Sequence, residues 1–312
     1  MKPAPFEYVV ANSVSDAIHA LQKYGADSCI IAGGQSLLQE MNMRQAKPSY
    51  IVDINGITDL DYVRLTSDSL AIGALTRHRT IERSELVASH CPILRKAVEH
   101  IAHFQIRSRG TIGGSLVQNA PGAEYGVVAR LLDAQMVIAG PQGERIVPAS
   151  GFFQSHFTTV VKPDEVLTEI RFPLLSSHTG YSFLEVTRRH GHIPIVSAAA
   201  TLELDEKETV TDVRVALGNV SGEGVPYRVR AVEKLRGLTF NLERVEQLQK
   251  DIEAEVNPDL EADKKAAFIK QLSGIQGRRV SELASAEYRK EAAAILSVRA
   301  LKIAYEQLKG AK

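Results

Sequence analysis

The stretch Ser28-Cys29-Ile30-Ile31-Ala32-Gly33-Gly34-Gln35-Ser36-Leu37-Leu38 decides how the chain is read. A short apolar run, Cys29 to Ala32, enters paired glycines, and an apolar segment able to start a helix follows Ser36. Strand, tight turn and helix start aim several backbone N–H groups at one point, where the helix dipole also favours negative charge. Gly33 and Gly34 can take positive φ and bring the backbone against a phosphate with no Cβ in the way. Taken alone, the motif is a weak signal, and a plain sharp turn is the commoner reading. Its weight comes from a second copy, Thr111-Ile112-Gly113-Gly114-Ser115, in which a glycine pair is again followed by Ser and two apolar residues. Two such turns suit a ligand with two phosphates, or a dinucleotide gripped in two places. Neither G-x-G-x-x-G nor G-x-x-x-x-G-K-[ST] occurs, which disfavours Rossmann and P-loop sites.

Composition sets the outer limits. The chain has 312 residues, 44% hydrophobic and 24% charged, ordinary proportions for a globular protein of one large or two to three smaller domains. Lys plus Arg and Asp plus Glu both number 37, so no global field favours nucleic acid or an anionic membrane. The start, Met1 to Glu7, lacks the apolar core of a secretory signal, and no run approaches the ~20 apolar residues of a membrane span. The cytoplasm is the expected compartment. Two cysteines, Cys29 and Cys91, are too few for a disulfide framework or for the roughly four thiolates of an iron–sulfur cluster.

Upstream of the first turn, Ser13 to Asp16 reads as a capping box with Asp in the Glu position. Val14, Ala17, Ile18 and Leu21 follow at helical spacing, and Gly25 is placed to stop the helix. Downstream, Tyr50 to Ile54 reads as a strand and Asn55-Gly56 as its turn, which completes a βαβ-like unit presenting the glycines. Leu70 to Ala74 reads as a strand, Thr80 to Val87 and Pro92 to Ile101 as helices, and the polar tract Gln105 to Gly110 delivers the second turn. Ala123 to Leu132 then reads as a helix, Gln135 to Ala139 with Arg145 to Pro148 as a hairpin, and Val166 to Phe172 as a strand. Ser176 to Gly180 is the best domain linker. Beyond it Tyr181 to Val186, Ile195 to Leu204 and Val213 to Leu217 read as strands, and the alternation of Val213, Val215 and Leu217 predicts an antiparallel sheet with one wet face. Leu242 to Ala254 and Leu260 to Leu272 read as amphipathic helices, and Ala294, Val298, Leu301, Tyr305 and Leu308 mark a final long one.

Ala32 to Leu38, followed by Gly110 to Leu116, resembles the FAD-binding medium subunit of the molybdenum hydroxylases, the xanthine dehydrogenase and carbon monoxide dehydrogenase family. Tyr50 to Ile54, Asp164 to Ile170 and Phe183 to Arg189 carry the resemblance further, so that it covers nearly the whole chain from Phe6 to the closing helix. It implies an α+β fold: a two-lobed α/β FAD-binding domain (PCMH-type) over 1–176, with lobes at about 1–56 and 57–176. A smaller α+β domain with a three-stranded antiparallel sheet and helices would follow over 177–312. By the same resemblance Ala32, Gly33, Gly34, Gln35 and Ser36 would wrap the FAD pyrophosphate with backbone amides, with Ile31 and Leu37 on either side also among the cofactor-binding residues. Thr111, Ile112, Gly113, Gly114 and Ser115 would close over it from the other lobe. Glu124 would stand near the adenosine end, Ile101 near the isoalloxazine, Leu167 as an apolar wall, and Arg188 with Arg189 near the flavin edge.

The residues themselves leave other readings open. Glu124 also suits a first-turn helix acid facing the dipole, and Arg188 and Arg189 also suit a solvated surface. His190 and His192 have the i, i+2 spacing of an exposed loop rather than a metal site. The chain departs from the family pattern at His192, where relatives commonly carry Asp, and at Asn119-Ala120-Pro121, where Ala-Asp-Pro or Ala-Ser-Pro is more usual. No triad, paired catalytic carboxylates or metal site emerges. The resemblance therefore implies an electron-transfer subunit whose redox chemistry is the cofactor's. It implies a small iron–sulfur subunit and a large molybdenum-cofactor subunit as partners, and NAD, a quinone or O2 as terminal acceptor. A stand-alone flavin oxidoreductase, or a scaffold that has lost its cofactor, are the competing readings.

Overall fold

A computed structural model describes residues 2–258 and 284–310. The first glycine turn leaves a small parallel sheet of β1 (Glu7–Val10), β2 (Ser28–Ile31) and β3 (Tyr50–Asp53), in the order β1-β3-β2. Parallel strands need crossovers, and α1 (Val14–Tyr24) and α2 (Leu37–Asn42) supply them. The α1 start is capped as its sequence predicts: Ser13 Oγ accepts from the Asp16 N–H at 3.0 Å. Asp16 reaches back one residue further than in a standard capping box, accepting from the Asn12 N–H at 3.1 Å. Gly25, at φ +57°, ends the helix. Ala17, Ile18 and Leu21 bury the inner face of α1 against Val52, Leu60 and Leu75.

The next layer is a five-stranded antiparallel sheet of β4 (Val63–Leu65), β5 (Ser69–Gly73), β6 (Gln135–Gly140), β7 (Gly143–Pro148) and β10 (Val166–Pro173), ordered β4-β5-β10-β6-β7. Helices α3 (His78–Arg83), α4 (Glu85–His90), α5 (Pro92–His100), α6 (Phe104–Arg107), α7 (Ile112–Gln118) and α8 (Glu124–Leu132) lie between β5 and β6 in the chain. A single helix was expected over Thr80 to Val87. Ser84 interrupts it with an extended backbone and caps the following turn, its Oγ accepting from the Val87 N–H. A short helix α9 (Ala149–Phe152) and the two-stranded ribbon of β8 (Phe153–Ser155) and β9 (Thr158–Thr159) complete this part.

The C-terminal sheet holds β11 (Thr179–Val186), β12 (Val196–Leu204), β13 (Val210–Gly218) and β14 (Tyr227–Arg228), all antiparallel. It has four strands where three were read, because a two-residue strand pairing only with Ala216 and Leu217 leaves no period in the sequence. The expected wet face is also mostly covered. Val196, Ala198, Ala200 and Leu202 face the final helix, whereas Ala199 and Ala216 on the other face join the core built around α8. Alanines there keep the sheet surface low enough for a helix to lie on it. The polar alternation survives only at the β13 start, where Asp212 and Arg214 pair at 2.6 Å.

After β14 come α10 (Leu242–Gln247), α11 (Gln249–Glu255) and α12 (Ala286–Gly310), the last lying along β11 and β12. The helix read over 260–272 lies outside the described residues. Helix α8 is buried along almost its whole length, with Tyr125, Val127, Val128 and Leu131 fully enclosed, because it packs on α5 at one side and on β12 and β13 at the other. Each such large side chain contributes about 1.5–3 kcal/mol of burial. No described helix is long and apolar enough to cross a membrane.

Candidate functional site: a cavity between two glycine turns

Both glycine turns open onto one cavity of about 490 Å³, within the ~300–1,000 Å³ of small-molecule and cofactor sites. A second recess of about 410 Å³, lined by Arg130, Asp133, Arg228 and Arg230, lies away from both turns. The first turn contributes Ile31, Ala32, Gly33, Gly34, Gln35, Ser36 and Leu37 to the wall. Gly34 sits at φ +73°, and the backbone N–H groups of Gly33, Gly34, Gln35 and Ser36 meet no acceptor among the described residues. Four consecutive donors without partners, beside the start of α2, make an anion cradle.

The second turn contributes Thr111, Gly113, Gly114 and Ser115, but its amides are already occupied. Ile112 N–H donates to the Thr76 carbonyl, Gly113 to Ala74, Gly114 to Thr111 Oγ1 and Ser115 to the Thr111 carbonyl. The two turns therefore differ. The first offers donors, and the second is a rigid wall whose glycines permit close packing: a Cβ on Gly113 would stand 2.6 Å from that of Ala74. The turns also touch, since a Cβ on Gly33 would collide with the Arg109 carbonyl oxygen.

Asn55 and Arg77 bind the halves together. Asn55 Nδ2 donates to the Ala32 carbonyl at 2.6 Å, and its Oδ1 accepts from Arg77 at 2.8 Å. Arg77 also donates to the Arg109 carbonyl at 2.7 Å, the residue before Gly110. Burial would raise the Asp53 carboxyl, yet it is held below its ordinary value. Hydrogen bonds from the Tyr8 hydroxyl and from the Asn55 backbone and side chain outweigh burial, with the Arg77 charge adding to them.

Leu167, on β10, lines the cavity. Four other anticipated residues stand behind the wall or outside it. Ile112 is fully buried in the core beneath the second turn, and Ile101 is almost so, while its neighbour Ala102 lines the cavity. The corner at Ala102, φ +47°, is fixed by Arg107, which donates to the carbonyls of Ile101 and Ala102 at 2.9 and 3.1 Å. Glu124 is buried behind lining residue Ala123, in a group with His100 and Glu185. His100 immediately precedes Ile101 in the chain, so Glu124 lies on the same side of the cavity as the Ile101–Ala102 corner. Arg188 is exposed on the loop after β11; from that loop Ile193 reaches the cavity and Gly191 abuts the Ala102 carbonyl.

His78 lines the floor and was not foreseen. It is 5% exposed, its Nδ1 has no partner among the described residues, and burial, helped by Arg107 and Arg77, pushes its pKa down to about 3. The imidazole is therefore neutral. Asn55, Arg77 and His78 carried no sequence signal beyond the Asn-Gly turn, because what they do depends on which chain segments meet. Asn119, the departure from the family pattern, ends α7 in the left-handed region at φ +41°, and its side-chain amide donates to the Ser155 and Thr158 carbonyls.

Two family models match in tandem: residues 4–175 match the FAD binding domain in molybdopterin dehydrogenase, and residues 181–280 the CO dehydrogenase flavoprotein C-terminal domain. The chain belongs to this flavoprotein family. FAD is its cofactor, and it is an oxidoreductase component. The chain is 41% identical to the 6-hydroxypseudooxynicotine dehydrogenase complex subunit alpha of Paenarthrobacter nicotinovorans, over 75% of this chain and 79% of that protein. It is 32% identical to the carbon monoxide dehydrogenase medium chain of Afipia carboxidovorans, over 92% and 99%. Carbon monoxide dehydrogenase from Hydrogenophaga pseudoflava has the same architecture, with a TM-score of 0.86, 32% identity and coverage of 98% of this chain and 99% of that one.

The flavoprotein's cavity fits FAD on its own geometry. Unpartnered amides at the first turn suit a pyrophosphate, paired glycines line the cavity at both turns, and His78, whose Nδ1 has no partner among the described residues, adds a polar ring to an otherwise largely apolar wall.

Proposed function

We propose that this flavoprotein subunit relays electrons within a molybdenum hydroxylase, taking them from a small iron–sulfur subunit that draws them from a large molybdenum-cofactor subunit. NAD, a quinone or O2 would be the terminal acceptor. The single observation that carries the reading is the cavity shared by both glycine turns, with four free amides on one of them. Bound FAD would supply the redox chemistry, accepting electrons singly and releasing them singly or in pairs. The chain's residues hold and shield it. Gly33 to Ser36 bind the pyrophosphate through N–H groups, and Asn55 and Arg77 fix the angle between the two turns. Leu167 and Ile193 keep water from the rings, and Arg188 or Arg189 lends positive charge from the bordering loop.

We further assign residues 1–176 to the FAD-binding unit, with lobes at about 1–56 and 57–176, and 177–312 to the C-terminal unit. The relatives' names, a complex subunit and medium chains, support a multi-subunit setting. The test is co-expression with candidate partner chains. A yellow complex whose flavin is reduced by the hydroxylase substrate only when both partners are present supports the relay. An isolated chain that reduces its flavin with a small-molecule donor of its own favours the stand-alone oxidoreductase.

A further inference from the structure

Glu185, at the end of β11, is an unusual buried acid: its side chain is 2% exposed, and neither carboxyl oxygen receives a well-formed hydrogen bond among the described residues. Its ion-pair partner is His100, whose Nδ1 lies 3.3 Å away and whose pKa Glu185 raises. Glu124, at the first position of α8, is also buried, and lies close enough to both for their charges to act on its carboxyl. An ionised carboxyl in such surroundings is unfavourable unless it is paired or protonated, and two carboxyls share one partly exposed histidine. The group has a way out and a way in. His100 is one third exposed and stands 6.1 Å, ring to ring, from exposed His190, while Glu124 lies directly behind Ala123 in the cavity wall.

We propose that Glu124, Glu185 and His100 form a proton store for the cavity, holding one exchangeable proton on Glu124 and exchanging it with water through Glu185, His100 and the His190 loop. A cavity whose occupant gains electrons gains negative charge. Release of the stored proton from the Glu124 carboxyl to that side compensates the charge, and a proton from bulk water, entering by His100, restores the carboxyl. This role rests on the electron-relay reading, but the store itself does not. The other charged group acting on the cluster is Glu99 on α5, next to His100; the Arg107–Glu82 pair acts on Tyr125, the residue after Glu124. Burial first, and Glu185 second, raise the Glu124 pKa, to about 8.

The test is infrared spectroscopy of the flavin-loaded protein with 13C-labelled glutamate, read alongside its visible spectrum. At neutral pH one protonated-carboxyl C=O band is expected, shifted by the label, lost in Glu124→Gln and titrating at lower pH in Glu185→Gln. Its hydrogen–deuterium exchange should slow several-fold in His100→Gln. Absence of that band in the wild type, or its persistence in Glu124→Gln, overturns the proposal. The two Glu→Gln variants are near-isosteric, and a normal melting curve for each of the three shows that they fold. Failure to bind flavin would show in the visible spectrum and would count against the relay reading instead.

Discussion

The amide of Asn55 and the guanidinium of Arg77 meet at 2.8 Å, and through them the Ala32 carbonyl of the first glycine turn is tied to the Arg109 carbonyl before the second. Asn55 belongs to the turn after β3 and Arg77 to the start of α3, so this is a strut between the small parallel sheet and the larger antiparallel part. The spacing of the two turns depends on it.

Asn55→Ala removes the strut. A hydrogen bond to a charged partner contributes about 1.5–3 kcal/mol and a neutral one about 0.5–1.5 kcal/mol, so a stability loss of roughly 1–3 kcal/mol is expected, with weaker FAD binding. Thermal melts and flavin titration of the apo-protein measure the two effects. Unchanged flavin affinity would show that the strut does not set the site.

Gly34→Leu should lose the flavin and keep the fold. The position needs φ +73°, which costs a non-glycine residue about 1–2 kcal/mol, and the new Cβ meets side chains alone, Leu38 at 2.8 Å and Ile31 at 3.5 Å. Gly33→Ala should be worse for folding, because its Cβ meets the Arg109 backbone, which cannot swing aside. Circular dichroism with flavin content separates the two outcomes. A Gly34→Leu protein with a full flavin complement would remove the cradle's role.

His78 makes the protein acid-sensitive. Its folded pKa of about 3 lies below the ordinary 6.5, so the unfolded chain binds a proton between those values that the native chain refuses. Its contribution is complete above pH 6.5 and disappears as pH falls toward 3. His78→Phe should therefore show a shallower loss of stability in that window. Urea midpoints measured from pH 7 to 4 provide the check, and parallel curves for the two proteins would count against it.

Glu124 acts in the opposite sense. With a folded pKa of about 8 against an ordinary 4.5, the native state keeps a proton that the unfolded chain releases. The benefit is full below pH 4.5 and is lost as pH rises through 8, at up to about 1.4 kcal/mol per pH unit. Glu124→Gln should gain on the wild type from pH 6 to about 8 and level off toward pH 9. A constant difference across that range would show that Glu124 does not titrate there.

Much of this was legible in the chain. Ser13 with Asp16, the apolar spacing of α1, the hairpin at residues 135–148 and the two glycine pairs each follow from local steric or hydrogen-bonding rules, and each stands where the sequence puts it. Ser84 hid the break between α3 and α4, since a serine inside a periodic stretch reads equally as a helix interior or a cap. The covered face of the C-terminal sheet was missed because Ala199 and Ala216 give no hydrophobic alternation, although alanines are what lets α8 lie close.

What the sequence determined by itself was therefore local: where helices begin, where the backbone can turn left-handed, and that two glycine corners are built alike. Only the tertiary structure decided that the corners are unequal, one with free amides and one with its amides spent on Ala74, Thr76 and Thr111. It alone brought Glu124, Glu185 and His100 together. Whether an N–H is free, or a carboxyl keeps its proton, depends on neighbours supplied by distant segments, and no local pattern encodes those.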